Sequence, residues 1–258
     1  MDQTFRWRFI GLANYAKLFK GDPLVPRIVR NTVIYVSGAL PITIGFGLLV
    51  SLLTARMKKP LALFFRAIFF LPRVIPPVVW AFLWAWAFEG SRYGIFNSIL
   101  TSLGFPKVYW FIKYSMIIVI LANGFMGVSL AMLVFTSAMA SIPTEYLWAA
   151  EVDGASYWQL CRFIIIPLLR WPIFTMTVWH LMSFINSYVY ILLITNGGPY
   201  YSTEVWSLYG YHNAFQYYKY GYGSSLIMVL IVINTILFLL CWKLFGARRA
   251  LRGPGVEA

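Results

Sequence analysis

Long apolar stretches alternate with short basic or polar ones along this chain, and their lengths set the first reading. Five are long enough to cross a bilayer: residues 31–55, 61–88, 114–140, 171–195 and 223–246. At a helical rise of about 1.5 Å per residue, the first extends about 37 Å, against a hydrocarbon core of about 30 Å. The second is interrupted by Arg66, Arg73 and the prolines Pro72, Pro76 and Pro77. Residues 9–19 suit a short amphipathic helix lying on the membrane surface. Isolated strands cannot cross lipid without leaving backbone groups unpaired. The expected fold is therefore all-α and integral to the membrane, one domain over residues 1–258 with five transmembrane helices. Residues 1–30 form an interfacial or extracytoplasmic segment, 141–170 a polar connector, and 196–222 a tyrosine-rich loop.

Composition supports this. Apolar residues make up 60% and charged residues 11%, whereas water-soluble domains carry about a quarter charged residues. A net charge of +13 would by itself suit nucleic acid. The basic residues, however, are scattered and border apolar runs, as expected where Lys and Arg set membrane topology. No nucleic-acid partner is expected. Cys161 and Cys241 lie far apart and lack metal-ligand spacing, so neither a disulfide framework nor a metal site is expected. His180 and His212 fall on different elements without a carboxylate partner, and no catalytic residue or cofactor is expected. A G-x-x-x-x-G-K-[ST] phosphate loop is absent, so ATP hydrolysis is not assigned to this chain. No removable signal peptide is visible at the start.

The connector has a definite local grammar. Pro143 suits a first helical turn, and Glu145 sets negative charge near the positive helix N-terminus. Asp153-Gly154 stops that helix, with glycine free to turn left-handed. Ser156 and Gln159 have capping-box spacing for a second helix, which Pro167 is expected to end. The shape is a helix–turn–helix.

Its wording resembles the coupling loop of ABC importer permeases, which reads Glu-Ala-Ala, Asp-Gly-Ala and Ile-x-Leu-Pro. Here stand Ala149-Ala150, Asp153-Gly154-Ala155 and Ile164-Ile-Ile166-Pro167. Leu193-Ile-Thr-Asn-Gly-Gly-Pro199 with Ser202-Thr203, the opening Phe9-Ile-Gly-Leu-x-Asn-Tyr15 and the Phe70-Leu-Pro72…Pro76 run resemble the sugar-permease branch of the maltose and glycerol-phosphate type. The resemblance spans nearly the whole chain in order.

It implies a multi-pass permease in the cell (inner or plasma) membrane. The implied partners are a second, homologous permease subunit forming a heterodimer, two cytoplasmic ATPase subunits and an extracytoplasmic solute-binding protein. The implied cargo is a sugar, oligosaccharide or polyol derivative. By resemblance Glu145, Ala149, Ala150, Glu151, Asp153, Gly154, Ala155 and Pro167 form the coupling loop. Trp148 stands where the family's leading Glu falls, leaving Glu145 or Glu151 to replace it. The branch usually has a further helix before the Phe-Ile-Gly-Leu segment, so an upstream first helix is expected to be missing from this sequence. Arg6, Arg8, Arg248, Arg249 and Arg252, with the other Lys and Arg outside the apolar cores, balance nearly evenly across the membrane and leave orientation undecided.

Polar residues within the spans are the candidates for a substrate pathway, because a charge facing lipid costs about 2.5–3.5 kcal/mol. Arg73 lies among the prolines of the second span, where a broken helix can line a cavity. His180, Ser183, Asn186 and Tyr190 recur at helical spacing as one polar stripe. Asn123 is a further candidate, with helix–helix hydrogen bonding as its alternative role. Two other readings compete: a self-sufficient secondary transporter, and an ABC permease for a non-sugar solute. The former predicts inverted repeats and intramembrane carboxylates, and every Asp and Glu here lies outside or at the edge of a span.

Overall fold

Helix is the only regular structure among the described residues of the computed structural model, which are 9–245. Arg6, Arg8, Gly246, Arg248, Arg249 and Arg252 lie outside them. The elements are α1 (Ala13–Lys20), α2 (Val25–Ala55), α3 (Lys59–Val74), α4 (Pro77–Ala87), α5 (Ile95–Ser102), α6 (Trp110–Lys113) and α7 (Ser115–Ala140). Then follow α8 (Thr144–Val152), α9 (Tyr157–Leu160), a π-helical turn (Cys161–Ile165), α10 (Ile166–Leu168), α11 (Arg170–Asn186) and α12 (Val189–Ile194). The last are α13 (Trp206–Tyr211), a second π turn (His212–Gln216) and α14 (Tyr220–Phe245).

Among the described residues three helices are long and apolar enough to cross a membrane, namely α2, α7 and α14 over Tyr220–Lys243. The number rises to five if two bent pairs each count as one span. The expected second span is one such pair: α3 and α4 meet at 102°. Pro76 and Pro77 cause the break, since neither can donate a helical hydrogen bond and Pro77 opens α4 as its first residue. Tyr157–Leu168 and α11 form the other, bent by 67°. The expected fourth span thus differs from the observed one, because α11 stops at Asn186 and a separate α12 follows. Pro167 does not end its helix; it lies inside α10, directly after the π turn. The proline ring crowds the carbonyl one turn earlier, and the widened turn falls there.

Two compact units emerge among the described residues, Arg27–Leu208 and the pair 9–26 with 209–245. The larger is built around α7, which buries Ala122, Asn123, Ser129, Ala131 and Phe135. Small residues let α2 lie directly on it. A Cβ on Gly47 would stand 2.7 Å from that of Ala131, so only glycine permits this approach. Thr43 donates to the Gly124 carbonyl at 2.8 Å and Ser51 to that of Met132 at 3.0 Å. α3, α4, α11 and α12 also contact α7. Buried Asn97 orders the segment from α4 to α7: its amide donates to Glu89 O and Val108 O and accepts from Val108 N–H and Trp110 Nε1–H.

In the smaller unit α1 rests on α14. Leu18 is the buried residue of α1, and Lys17 sits 4.8 Å above the Tyr222 ring. Asp22 accepts hydrogen bonds from Tyr209 at 2.6 Å and Tyr222 at 2.5 Å. Ile227, Ile231, Val232, Ile236 and Leu239 of α14 are exposed, as suits a helix facing hydrocarbon.

Candidate functional site

Two places gather the candidate residues: a knob between α7 and α11, and a groove bounded by α4, α11 and α12.

The knob is the helix–turn–helix of α8 and α9. Pro143 immediately precedes α8, and Glu145 lies exposed in its first turn. Gly154 takes φ +77, with Gly154 N–H bonded to Glu151 O at 3.0 Å and Ala155 N–H to Ala150 O at 2.9 Å. This is a Schellman closure, in which the left-handed residue satisfies the last helical carbonyls. The capping box opens α9, with Ser156 N–H donating to Gln159 Oε1 at 2.7 Å and Gln159 N–H to Ser156 Oγ at 3.4 Å. Ala149, Glu151, Asp153 and Gly154 are exposed and Ala150 and Ala155 half-buried. Tyr146, Trp148, Val152 and Trp158 expose apolar surface on the same knob, Val152 at 86%.

The knob's inner side is fastened to the end of α2. Tyr157 donates its hydroxyl to the Leu52 carbonyl, and Arg56 lies 4.5 Å over the Tyr157 ring. Arg56 also faces Glu151 at 3.9 Å. Leu52, Cys161, Ile165 and Leu169 form a buried cluster with Leu48, Met139 and Leu147 against it. The knob is thus packed against the ends of both α2 and α7. Sequence reasoning missed Leu52, Arg56 and Tyr157, and no local pattern marks them. Glu151 faces this chain's own Arg56, whereas Glu145 has no ion-pair partner within 4.0 Å among the described residues.

The groove has a volume of about 600 Å³ and is lined by Ser183, Asn186 and Tyr190 together with Pro77, Trp179 and Tyr188. Asn186 donates to its own helix at Met182 O, 2.7 Å away. Trp179, four residues before Ser183, continues the predicted stripe and was legible from that spacing.

Three candidates lie elsewhere. His180 is buried; its Nδ1 is 2.9 Å from Met176 O, and its ring fills the space against Gly127. Asn123 donates to Tyr35 Oη and, at 2.9 Å, to Ser187 Oγ, which spends its amide on helix contacts. Arg73 is exposed in the last turn of α3 and does not line the groove. The stripe is interrupted at Ser187, whose carbonyl accepts from Ser207 Oγ at 2.9 Å instead of continuing the helix.

Comparison with known proteins gives a consistent result. The family described as "Binding-protein-dependent transport system inner membrane component" matches residues 46–245. A probable ABC transporter permease protein of Pyrococcus horikoshii is 31% identical over 249 residues, covering 94% of this chain and 84% of that one. The sulfoquinovosyl glycerol transport system permease protein SmoG of Agrobacterium fabrum is 30% identical over 234 residues, covering 88% and 73%. Among solved structures, a bacterial ABC transporter involved in import of the acidic polysaccharide alginate superposes with a TM-score of 0.87. It is 24% identical, with 95% of this chain and 86% of that one covered.

Proposed function

Because this chain belongs to the family of binding-protein-dependent transport system inner membrane components, a family of multi-pass permeases, we propose a specific role for it. It is one permease subunit of an ATP-driven importer, and it carries a sugar, oligosaccharide or polyol derivative delivered by an extracytoplasmic binding protein. Both compact units belong to one permease domain. A second, homologous permease completes the pathway, and two cytoplasmic subunits hydrolyse the ATP. The carbohydrate class rests on relatives such as SmoG, whose name assigns it a sulfoquinovosyl glycerol cargo.

One observation carries the coupling role: a knob exposing Trp148 and Val152 outward is fastened inward to α2 through Tyr157 and Leu52. A rigid knob with an apolar outer face is suited to a cleft on an ATPase, and its fastening transmits the movement. Of the two glutamates on the knob, Glu145 is the one not facing Arg56 and is offered to that partner. Substrate passes along the groove of Ser183, Asn186 and Tyr190, where Trp179 and Tyr190 offer aromatic faces and Asn186 a polar edge.

A photo-crosslinking amino acid at position 152 tests the docking in native membranes. Crosslinks to a subunit containing an ATP-binding phosphate loop are expected. Crosslinks confined to lipid, with the chain correctly inserted, would remove the coupling role.

A further inference from the structure

A second cavity, of about 370 Å³, lies between the ends of α2 and α7 and the knob, and its wall carries Arg56, Arg66, Ser51, Thr136, Glu151 and Tyr157. That volume falls within the range of about 300–1,000 Å³ typical of small-ligand sites.

Its charge is unbalanced. Among the described residues Glu151 is the only carboxylate in the wall, and it faces Arg56. Arg66 is half-buried, and its Nε donates at 2.9 Å to Thr54 Oγ1, a neutral hydroxyl. No carboxylate lies within 4.0 Å of it among the described residues. A guanidinium has five donors in a planar fork, so most of this one is unspent. The floor beneath is fixed: Ser51 Oγ shares its one proton between Gly47 O and Met132 O, and Thr136 Oγ1 donates to Ser51 Oγ at 3.2 Å. Thr54 in turn donates to Ser51 O at 3.3 Å. Burying part of a cation without a counter-ion is costly, and with the one carboxylate, Glu151, on Arg56, the wall keeps a net positive charge at Arg66.

The geometry points to a phosphate-binding site at this cavity, with Arg66 as the forked anchor and Arg56 as the second cation. Arginine is suited to this because its fork matches the oxygens of a phosphate in a bidentate pair. The ligand is a phosphomonoester or a phospholipid headgroup. Bound there, it touches α2, α3, α7 and the knob together, and it competes with Glu151 for Arg56. Occupancy therefore alters how firmly the knob is held to α2.

The test uses the full chain in nanodiscs of zwitterionic phosphatidylcholine or of phosphatidylglycerol. Its unfolding temperature is followed as inorganic phosphate or glycerol 3-phosphate replaces chloride at constant ionic strength. A saturable rise specific to phosphate is expected in phosphatidylcholine. Persistence of the rise in phosphatidylglycerol identifies a soluble ester as the ligand; its loss there identifies a headgroup already seated. Arg66→Met should weaken the apparent affinity about tenfold, as for loss of a charged hydrogen-bonded pair. Arg66→Lys, which keeps the charge but not the fork, should fall between. An equal response from Arg66→Met, or none beyond that of chloride from wild type in phosphatidylcholine, overturns the proposal and leaves the guanidinium to a protein carboxylate.

Discussion

The Tyr157 hydroxyl donates to the Leu52 carbonyl across 105 positions of sequence, tying the second helix of the knob to the last turns of α2. Removing that hydroxyl should loosen transmission without unseating the knob, because the Leu52, Cys161, Ile165 and Leu169 cluster remains. Tyr157→Phe should cost about 0.5–1.5 kcal/mol and lower the amount of substrate moved per ATP hydrolysed. The ratio is measured in proteoliposomes containing the whole importer. An unchanged ratio would confine Tyr157 to packing.

Gly154 discriminates conformation from bulk. Its φ of +77 disfavours a side chain even though a Cβ would meet nothing within 4 Å. Asparagine tolerates this region, so Gly154→Asn should retain substantial uptake. Gly154→Val should distort the turn, and Gly154→Trp should also obstruct docking. Both should abolish uptake while membrane insertion, followed by protease accessibility, stays normal. Normal uptake by the tryptophan variant would contradict a docking role for the turn.

The groove and the buried polar residues should separate in experiment. Asn186→Leu should change substrate affinity or rate with little effect on unfolding temperature, since Asn186 is exposed and donates to Met182 O of its own helix. Asn123→Leu should instead destabilise by about 1–3 kcal/mol, because it removes the shared donor to the buried Tyr35 and half-buried Ser187 hydroxyls. Thermal unfolding in detergent beside uptake kinetics resolves the two.

These cases show what was legible in the sequence. The apolar runs announced the spans because hydrocarbon thickness fixes their length. The knob was legible almost to the residue, since Glu145, Asp153-Gly154 and Ser156 with Gln159 act within one turn of their own helices. Long-range bonds carried no local sign. The break after Asn186 depends on Ser207 and on Asn123, 64 positions away from Ser187. Spacing alone therefore drew His180, Ser183, Asn186 and Tyr190 as one stripe. The structure turns His180 toward α7 and leaves the others on the groove. The break between α3 and α4 was foreseeable from Pro76 and Pro77, but its angle was not.

Asp22 supplies a pH dependence. Burial alone would raise its carboxyl; hydrogen bonds from Tyr209, Tyr222 and Leu24 N–H, with Lys17 nearby, together hold it below 3.8. A depressed folded value means that the stabilisation is present above the unfolded value of about 4 and is lost as pH falls through the folded one. Hydrogen exchange in α1 should therefore accelerate on acidification below about pH 4. Asp22→Asn should remove that dependence, and an unchanged acid response in the variant would assign it to other carboxylates.

The most direct test of the permease role is gentle purification of the tagged chain from its native membranes, with co-purifying proteins identified by mass spectrometry. The account predicts recovery of an ATPase subunit and a second permease, with ATP-dependent uptake by the recovered assembly after reconstitution. A lone, monodisperse chain that transports solute without ATP would contradict it.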